Sequence, residues 1–184
     1  MTQATDPHAL LYSQLDPEEA KALTARLLAP CDDGELYLQF MATESFAFDD
    51  GRLKTADYSR DSGFGLRGVS GETTGFAHAN EISARAIARA GETLQLLDAT
   101  TSPHAAPPER TNRHLYTDAS PLDLVPFAEK VGLLEKIDAI ARARDPRVAQ
   151  VSASLAGSWC AIDIIRADGF TERDIRPLVR LNVS

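Results

Sequence analysis

The segment from Glu35 to Ala79 reads as a series of β-strands, and it constrains the fold more than any other part of the chain. Between Leu36 and Phe48 apolar side chains recur mostly at even positions, while odd positions are largely polar. An alternation of period two over 13 residues predicts a long strand with one face toward a core. Asp49-Asp50-Gly51 then carries the Asp-Gly signal of a hairpin turn. The pattern therefore begins a β-meander.

Two further strands are predicted after this hairpin, a mostly polar one at Leu53–Arg60 and another at Gly63–Ser70. A turn then leads into Phe76-Ala77-His78, and Asn80 is placed to cap a helix that runs to about Leu97. Strands joined by hairpins pair antiparallel, and helices then cover one face of the sheet.

Two other helices are predicted. The first begins at Asp16-Pro17, with Asp as the N-cap and Pro at the first helical position. The other begins in a capping-box pattern at Ser120, or slightly later with Pro126 in its first turn. Its expected core-facing stripe comprises Phe127, Val131, Leu134, Ile137, Ile140 and Ala141.

The last third of the chain is again predicted to be a meander. Alternating residues lead to a turn at Gly157-Ser158, a returning strand at Trp159–Arg166 and a turn at Asp168-Gly169. The predicted fold class is α+β, with an antiparallel-dominated sheet built from two meanders and about three helices packed on one face. We expect residues 1–184 to form a single domain whose halves, 16–97 and 120–184, are joined by a loop at 98–119.

Composition excludes several classes of protein. The chain has 19 Lys plus Arg against 27 Asp plus Glu, for a net charge of −8, and this balance disfavours nucleic-acid binding. Cys31 and Cys160 are its two cysteines, which fits a reduced cytoplasmic protein better than a disulfide framework. No apolar run approaches the roughly 18 residues of a membrane span. We therefore expect a cytoplasmic protein without membrane or nucleic-acid partners.

Local motifs supply no catalytic or metal centre. Gly63–Gly68 matches the letters of the dinucleotide fingerprint, but that mechanism needs a helix directly after the loop, and none is predicted before about Glu81. The sequence contains no H-E-x-x-H, H-E-x-x-x-H or C-x-x-C pattern. Strand glycines usually mark the close approach of another backbone. The functional alternative is that Gly63, Gly65 and Arg67 share a face against which an extended peptide lies.

A final strand is predicted from Ile175 to Val183. Its odd positions are apolar and are expected to pack on the core. Arg176 and Arg180 share the other face, either as a solvated surface or as an interface with another domain. Because the pattern stops in mid-strand at Ser184, we expect the chain to be a segment of something longer.

Four stretches of the sequence together resemble one known family. They are the segment Glu35–Phe40 with its Asp-Asp-Gly hairpin, then Asp61–Ala77, Asp145–Trp159 and Ile175–Ser184. The chain resembles the TldD/PmbA family, historically called modulators of DNA gyrase, and its last two stretches resemble the TldD arm.

This resemblance implies the N-terminal α+β domain of a cytoplasmic zinc metallopeptidase that cleaves unfolded or extended peptides. In that family a PmbA/TldE-type subunit is the partner, and the N-terminal domain contributes substrate enclosure and subunit pairing. The family's zinc is held by an H-E-x-x-x-H helix and a distant cysteine in the C-terminal domain. This sequence lacks those positions, so no catalytic, metal or cofactor residue carries over, and neither Cys31 nor Cys160 is a ligand.

The segment is therefore expected to be inactive alone, with its own C-terminal domain, the partner subunit and a peptide substrate as partners. An autonomous, non-catalytic module that binds peptides or a partner is the alternative. A downstream H-E-x-x-x-H in the reading frame would favour the first hypothesis, and a stop codon the second. A nucleotide-binding enzyme is a third hypothesis that rests on Gly63–Gly68 alone.

Overall fold

A computed structural model describes residues 7–94 and 116–184. A short 3-10 turn at Pro7–Leu10 precedes three α-helices, α1 (Pro17–Leu28), α2 (Ala84–Leu94) and α3 (Phe127–Arg144). The strands are β1 (Asp33–Asp49), β2 (Arg52–Ser70), β3 (Thr73–Ala79), β4 (Ser152–Arg166) and β5 (Thr171–Val183).

The strands form one antiparallel five-stranded sheet in the order β3-β2-β1-β4-β5. With its three helices, this sheet confirms the predicted α+β class. The described residues divide into two compact units: 7–40, 61–94 and 161–175 form the first, and 41–60, 116–160 and 176–184 form the second. Four of the strands contribute residues to both units.

In the first unit, α1 packs close to the start of β1. Asp16 caps α1 as predicted, because its carboxylate accepts hydrogen bonds from the amides of Glu18 and Glu19 at 2.9 and 3.1 Å. A Cβ at Gly34 would lie 2.9 Å from a methyl group of Leu28, so the glycine admits the end of the helix. In β1, Leu36 and Leu38 are fully buried, as the period-two pattern predicts.

In the second unit, α3 packs on the far half of β1 and on β4. Phe46, Phe48, Leu134, Ala153 and Leu155 form the buried cluster. The predicted stripe of α3 is wrong at both ends, however, because Phe127 and Ile140 are exposed. The helix instead buries Lys130 and Asp138 beside Leu134.

Two predicted interruptions of the sheet are absent from the described structure. Leu53–Arg60 and Gly63–Ser70, predicted as separate strands, lie in one continuous strand, β2, and β3 pairs with its residues 64–70. Gly157-Ser158 lies inside β4. A Cβ at Gly157 would lie 2.6 Å from a methyl group of Leu122, so this glycine serves packing and not a turn.

Both later helices begin downstream of their predicted starts. α2 begins at Ala84, and the Ser83 hydroxyl accepts from the Ala86 amide at 3.2 Å, so Ser83 takes the role predicted for Asn80. α3 begins at Phe127 with Pro126 at its N-cap, close to the later of its two predicted starts, whereas the Ser120 hydroxyl accepts a hydrogen bond from the Leu122 amide at 3.3 Å. The predicted end of α2 at Leu97 and residues 98–115 of the predicted loop lie outside the described residues.

The final strand, β5, is one of the two edge strands of the sheet, and its predicted burial is wrong beyond its first residues. Ile175 is buried, but the apolar odd positions Val179, Leu181 and Val183 are exposed by 57, 46 and 51%. The even position Leu178 is also exposed. Both faces of this half-strand therefore present apolar side chains.

Candidate functional site

A concave surface lies on the face of the first unit's sheet that carries the odd-numbered residues of β1. It is lined by Glu35, Tyr37 and Gln39 from β1, by residues 61–65 and Arg67 of β2, and by Phe76 and residues 78–80 at the end of β3, and encloses about 470 Å³. The antiparallel register sets Gly65 opposite His78 and Arg67 opposite Phe76. We call this surface the β2 recess. It brings together Gly63, Gly65 and Arg67, the three β2 residues singled out from the sequence.

Each of the two glycines lies close to a neighbour within the unit. A Cβ at Gly63 would lie 2.7 Å from the carbonyl oxygen of Ala79, and one at Gly65 would lie 3.0 Å from the Phe76 ring. The close approach of another backbone, one of the two interpretations of the sequence, is thus what Gly63 accommodates. Because neither position has a side chain, the backbone of β2 forms the floor of the recess between the side chains of β1 and β3.

The walls of the recess are aromatic. The rings of Phe76 and His78 stack with their centroids 5.7 Å apart and an interplanar angle of 28°. Phe76 is 60% exposed although it packs against Gly65. On the other side, the Tyr37 hydroxyl donates to Gln39 at 2.8 Å. The recess therefore offers exposed ring faces beside polar groups.

Charged groups occur at both ends of the recess. The Arg67 guanidinium lies 3.5 Å from the Glu35 carboxylate and 3.9 Å from that of Asp33, and it is 39% exposed. Asp33 is held more tightly by Arg166, at 2.7 Å. Asp61 is exposed at the other end of the lining. The lining of the recess thus contains two carboxylates, Glu35 and Asp61, and one guanidinium, Arg67.

Arg176 and Arg180 of β5 belong to the second unit and do not line the β2 recess. Arg180 lines a different concave surface together with Thr43, Ser45, Asp57, Ser59 and Leu178. Its guanidinium donates to Asn182 at 3.2 Å, and Asn182 donates to the Ser154 hydroxyl at 3.3 Å. Arg176 is exposed on the same strand.

Sequence reasoning missed Glu35, Tyr37, Phe76 and His78 as members of the recess. The alternation in β1 indicates Glu35 and Tyr37, because it places the odd-numbered residues on the face opposite the core. Phe76 and His78 needed the β2–β3 register, because only the register places them beside Gly65 and Arg67.

The first unit also contains a buried carboxylate, Asp163. It is fully buried, accepts a hydrogen bond from the Tyr12 hydroxyl at 2.7 Å, lies 2.5 Å from His8 Nδ1 and lies 3.2 Å from Arg173 Nε. Burial, followed by the hydrogen bond to Asp163, raises the pKa of Tyr12 above its ordinary value. These contacts tie the N-terminal turn to β4 and β5 and leave Asp163 well compensated.

The described residues contain no metal-binding set. Across residues 7–94 and 116–184, no three His, Cys, Asp or Glu side chains lie close enough together to hold an ion. These donors therefore do not fit a zinc ion. None of the described helices combines the length and apolarity that a bilayer crossing requires.

Two family models match the chain over most of its length. The model described as PmbA/TldA metallopeptidase domain 1 matches residues 34–95, and the model of the PmbA/TldA metallopeptidase central domain matches residues 120–184. The chain therefore belongs to the PmbA/TldA (TldD) metallopeptidase family, as its resemblance to TldD/PmbA proteins predicted.

Curated relatives point to the same family. The metalloprotease TldD homologue of Buchnera aphidicola (Schizaphis graminum) is 37% identical over 155 residues, which is 83% of this chain and 32% of the relative. The TldD homologue of Haemophilus influenzae is 36% identical over 157 residues, or 83% of this chain and 33% of the relative. The chain thus spans about a third of the length of these relatives.

Solved structures share the fold. A protein described as a modulator of DNA gyrase from Bacteroides thetaiotaomicron superposes with a TM-score of 0.68 at 15% identity, covering 90% of this chain and 40% of that one. TldE from Thermococcus kodakarensis gives a TM-score of 0.61 at 13% identity, covering 90% of this chain and 42% of that one. At these identities the likeness concerns the fold.

Proposed function

We propose that this chain is the N-terminal part of a TldD-type zinc metallopeptidase that cleaves unfolded or extended peptides. In this proposal the chain encloses substrate and contributes to pairing with a PmbA/TldE-type subunit, in the cytoplasm. The zinc and its ligands belong to a C-terminal domain of the longer protein, and no catalytic step uses a residue of this chain.

The observation that carries the proposal is the β2 recess. A groove in a sheet face whose middle strand has two glycines, Gly63 and Gly65, lets an extended chain lie close to the strand there, and flanking side chains then contact it. Exposed aromatic rings beside polar groups suit a peptide, whose side chains and backbone need both kinds of contact. The match to curated TldD homologues supports the class of reaction.

Metal content and peptidase activity test the proposal. Purified residues 1–184 should carry no stoichiometric zinc and should not cleave a fluorogenic unfolded peptide. The longer protein, isolated with its PmbA/TldE-type partner, should carry zinc and cleave the same peptide until a chelator removes the metal. About one tightly held zinc per 1–184 chain, or cleavage by that chain alone, would contradict the assignment of the metal.

A second measurement addresses the recess itself. A fluorescently labelled, unstructured peptide should bind residues 1–184, and Gly65→Leu should weaken that binding because the new side chain occupies the recess. Gly132→Leu is the control, since that glycine lies in α3 and a Cβ added there would have nothing within 4 Å. If Gly65→Leu binds the peptide as tightly as Gly132→Leu does, the β2 recess is not the peptide-binding site.

A further inference from the structure

The charges around the β2 recess are not balanced. Arg67 lies between Glu35 and Asp33, and Asp33 also pairs with Arg166, so these four groups compensate one another. Asp61 lines the recess at the far end of the glycine segment and is exposed. A ligand in the recess therefore meets one excess negative charge.

The aromatic walls favour the same sign of charge. The Phe76–His78 stack leaves Phe76 60% exposed, and Tyr37 lines the opposite side. A cation over an aromatic face is attracted by the ring quadrupole, and the stem of a lysine or arginine covers apolar surface while its head stays polar. An acidic side chain would gain neither contact, because Arg67, the cation in this lining, already lies beside Glu35 and Asp33, and it would be repelled by Asp61.

We infer that the β2 recess selects a basic side chain of the extended peptide. The aliphatic stem lies against the aromatic walls, and the ammonium or guanidinium head pairs with Asp61. This inference rests on the proposed function and adds a preference that general peptide binding does not require.

Three otherwise identical labelled peptides test the preference, with a central Lys, Leu or Glu. Fluorescence anisotropy with residues 1–184 at low salt should give the tightest Kd for the Lys peptide and the weakest for the Glu peptide. Asp61→Asn should weaken the Lys peptide about two- to fivefold, as expected for the loss of one exposed ion pair, and leave the Leu peptide unchanged. Raising the salt concentration should reduce the Lys preference in the same way.

Asp57→Asn is the matched control, because Asp57 lies on the same strand but lines the surface in the second unit. It should change none of the three affinities. Phe76→Ala should weaken the Lys peptide, and circular dichroism should report an unchanged fold. If all three peptides bind equally well, or Asp61→Asn affects them equally, the basic preference is wrong while peptide binding stands. If none of the peptides binds, both the preference and the recess part of the proposed function fail.

Discussion

At the scale of single residues, the charges of Asp163 and Asp33 are compensated by partners that are distant in sequence. Asp163 is reached by Tyr12 and His8 from the N-terminal segment, and Arg166 pairs with Asp33. Burying a carboxylate is costly unless hydrogen bonds and opposite charges replace water. These contacts therefore fix the N-terminal turn and the strand ends in one arrangement.

Tyr12→Phe tests the compensation of Asp163. The loss of one hydrogen bond to a buried carboxylate should lower the free energy of unfolding by about 1 kcal/mol at pH 7. Because the folded pKa of Tyr12 is raised, the contribution of its hydroxyl is fully present below the unfolded value of about 10 and is lost as pH rises through the folded pKa. Urea unfolding at pH 7 and at alkaline pH should thus show a difference that shrinks above pH ~10. Tyr116→Phe, at an exposed position, should have no such effect.

A second prediction at this scale concerns the stability cost of alanine at the two recess glycines, Gly63 and Gly65. Gly63→Ala places its Cβ against the backbone oxygen of Ala79, which a paired strand cannot move easily, so it should destabilise by about 1–3 kcal/mol. Gly65→Ala meets only the Phe76 ring, which can rotate away, and should cost less. Thermal unfolding of both variants measures the difference. Gly132→Ala, in an open helical position, should stabilise slightly. A larger cost at Gly65 than at Gly63 would contradict the packing argument.

At the scale of elements, α3 is positioned by an ion pair as well as by its apolar residues. Lys130 Nζ lies 2.6 and 2.9 Å from the Glu44 carboxylate oxygens and donates to the Leu122 carbonyl at 2.6 Å. Phe127 also packs edge-on against Phe46, with centroids 5.6 Å apart. The helix is therefore anchored to β1 through Lys130 and Phe127.

A double-mutant cycle on Lys130 and Glu44 tests this anchor. Lys130→Met should destabilise the chain by up to about 3–5 kcal/mol, because it leaves the largely buried Glu44 carboxylate without its partner. Lys130→Met combined with Glu44→Leu should cost less than either single change, since neither buried charge remains. Urea unfolding of the four proteins gives the coupling energy. Additive costs would mean that the two side chains act independently.

At the scale of the whole molecule, the described chain forms two compact units, whereas the sequence predicts one domain over residues 1–184. Cooperativity of unfolding distinguishes these possibilities. Trp159 lies in the second unit and Cys31 is buried in the first. In a Cys160→Ser background, Trp159 fluorescence and Cys31 labelling should change at the same urea concentration if the chain unfolds as one domain. Separate midpoints would mean that the units unfold independently.

The last prediction concerns amide hydrogen exchange in the exposed half of β5. Edge strands with open hydrogen-bonding groups and apolar side chains on both faces invite another chain. If the longer protein covers this strand, its amides at positions 178–183 should exchange more slowly there than in residues 1–184 alone. The central-strand amides of Leu36 and Leu38 are the internal control and should exchange alike in both. Equal protection of β5 in the two proteins would mean that no interface forms there, and Arg176 and Arg180 would belong to a solvated surface.

Several features followed from the sequence because their cause is local. The alternation in β1, the cap at Asp16 and the turns at Asp50-Gly51 and Asp168-Gly169 depend on residues within a few positions of one another. Asp50, Gly51 and Gly169 adopt positive φ angles of 48, 75 and 86°, as hairpin turns with Asp and Gly do. The fold class follows from such signals, because hairpins determine antiparallel pairing.

Only the tertiary structure decided which faces are buried and which residues meet. Lys130 can be buried because its ammonium group pairs with the carboxylate of Glu44, which lies 86 positions earlier. No periodicity in α3 indicates that partner. Gly157 leaves room for Leu122 within a strand, and the odd positions 179, 181 and 183 of β5 are exposed although the same face buries Ile175. The β2 recess likewise depends on the β2–β3 register, which brings Phe76 and His78 to Arg67 and Gly65. These outcomes depend on contacts between distant segments, and such contacts form only when the chain is folded.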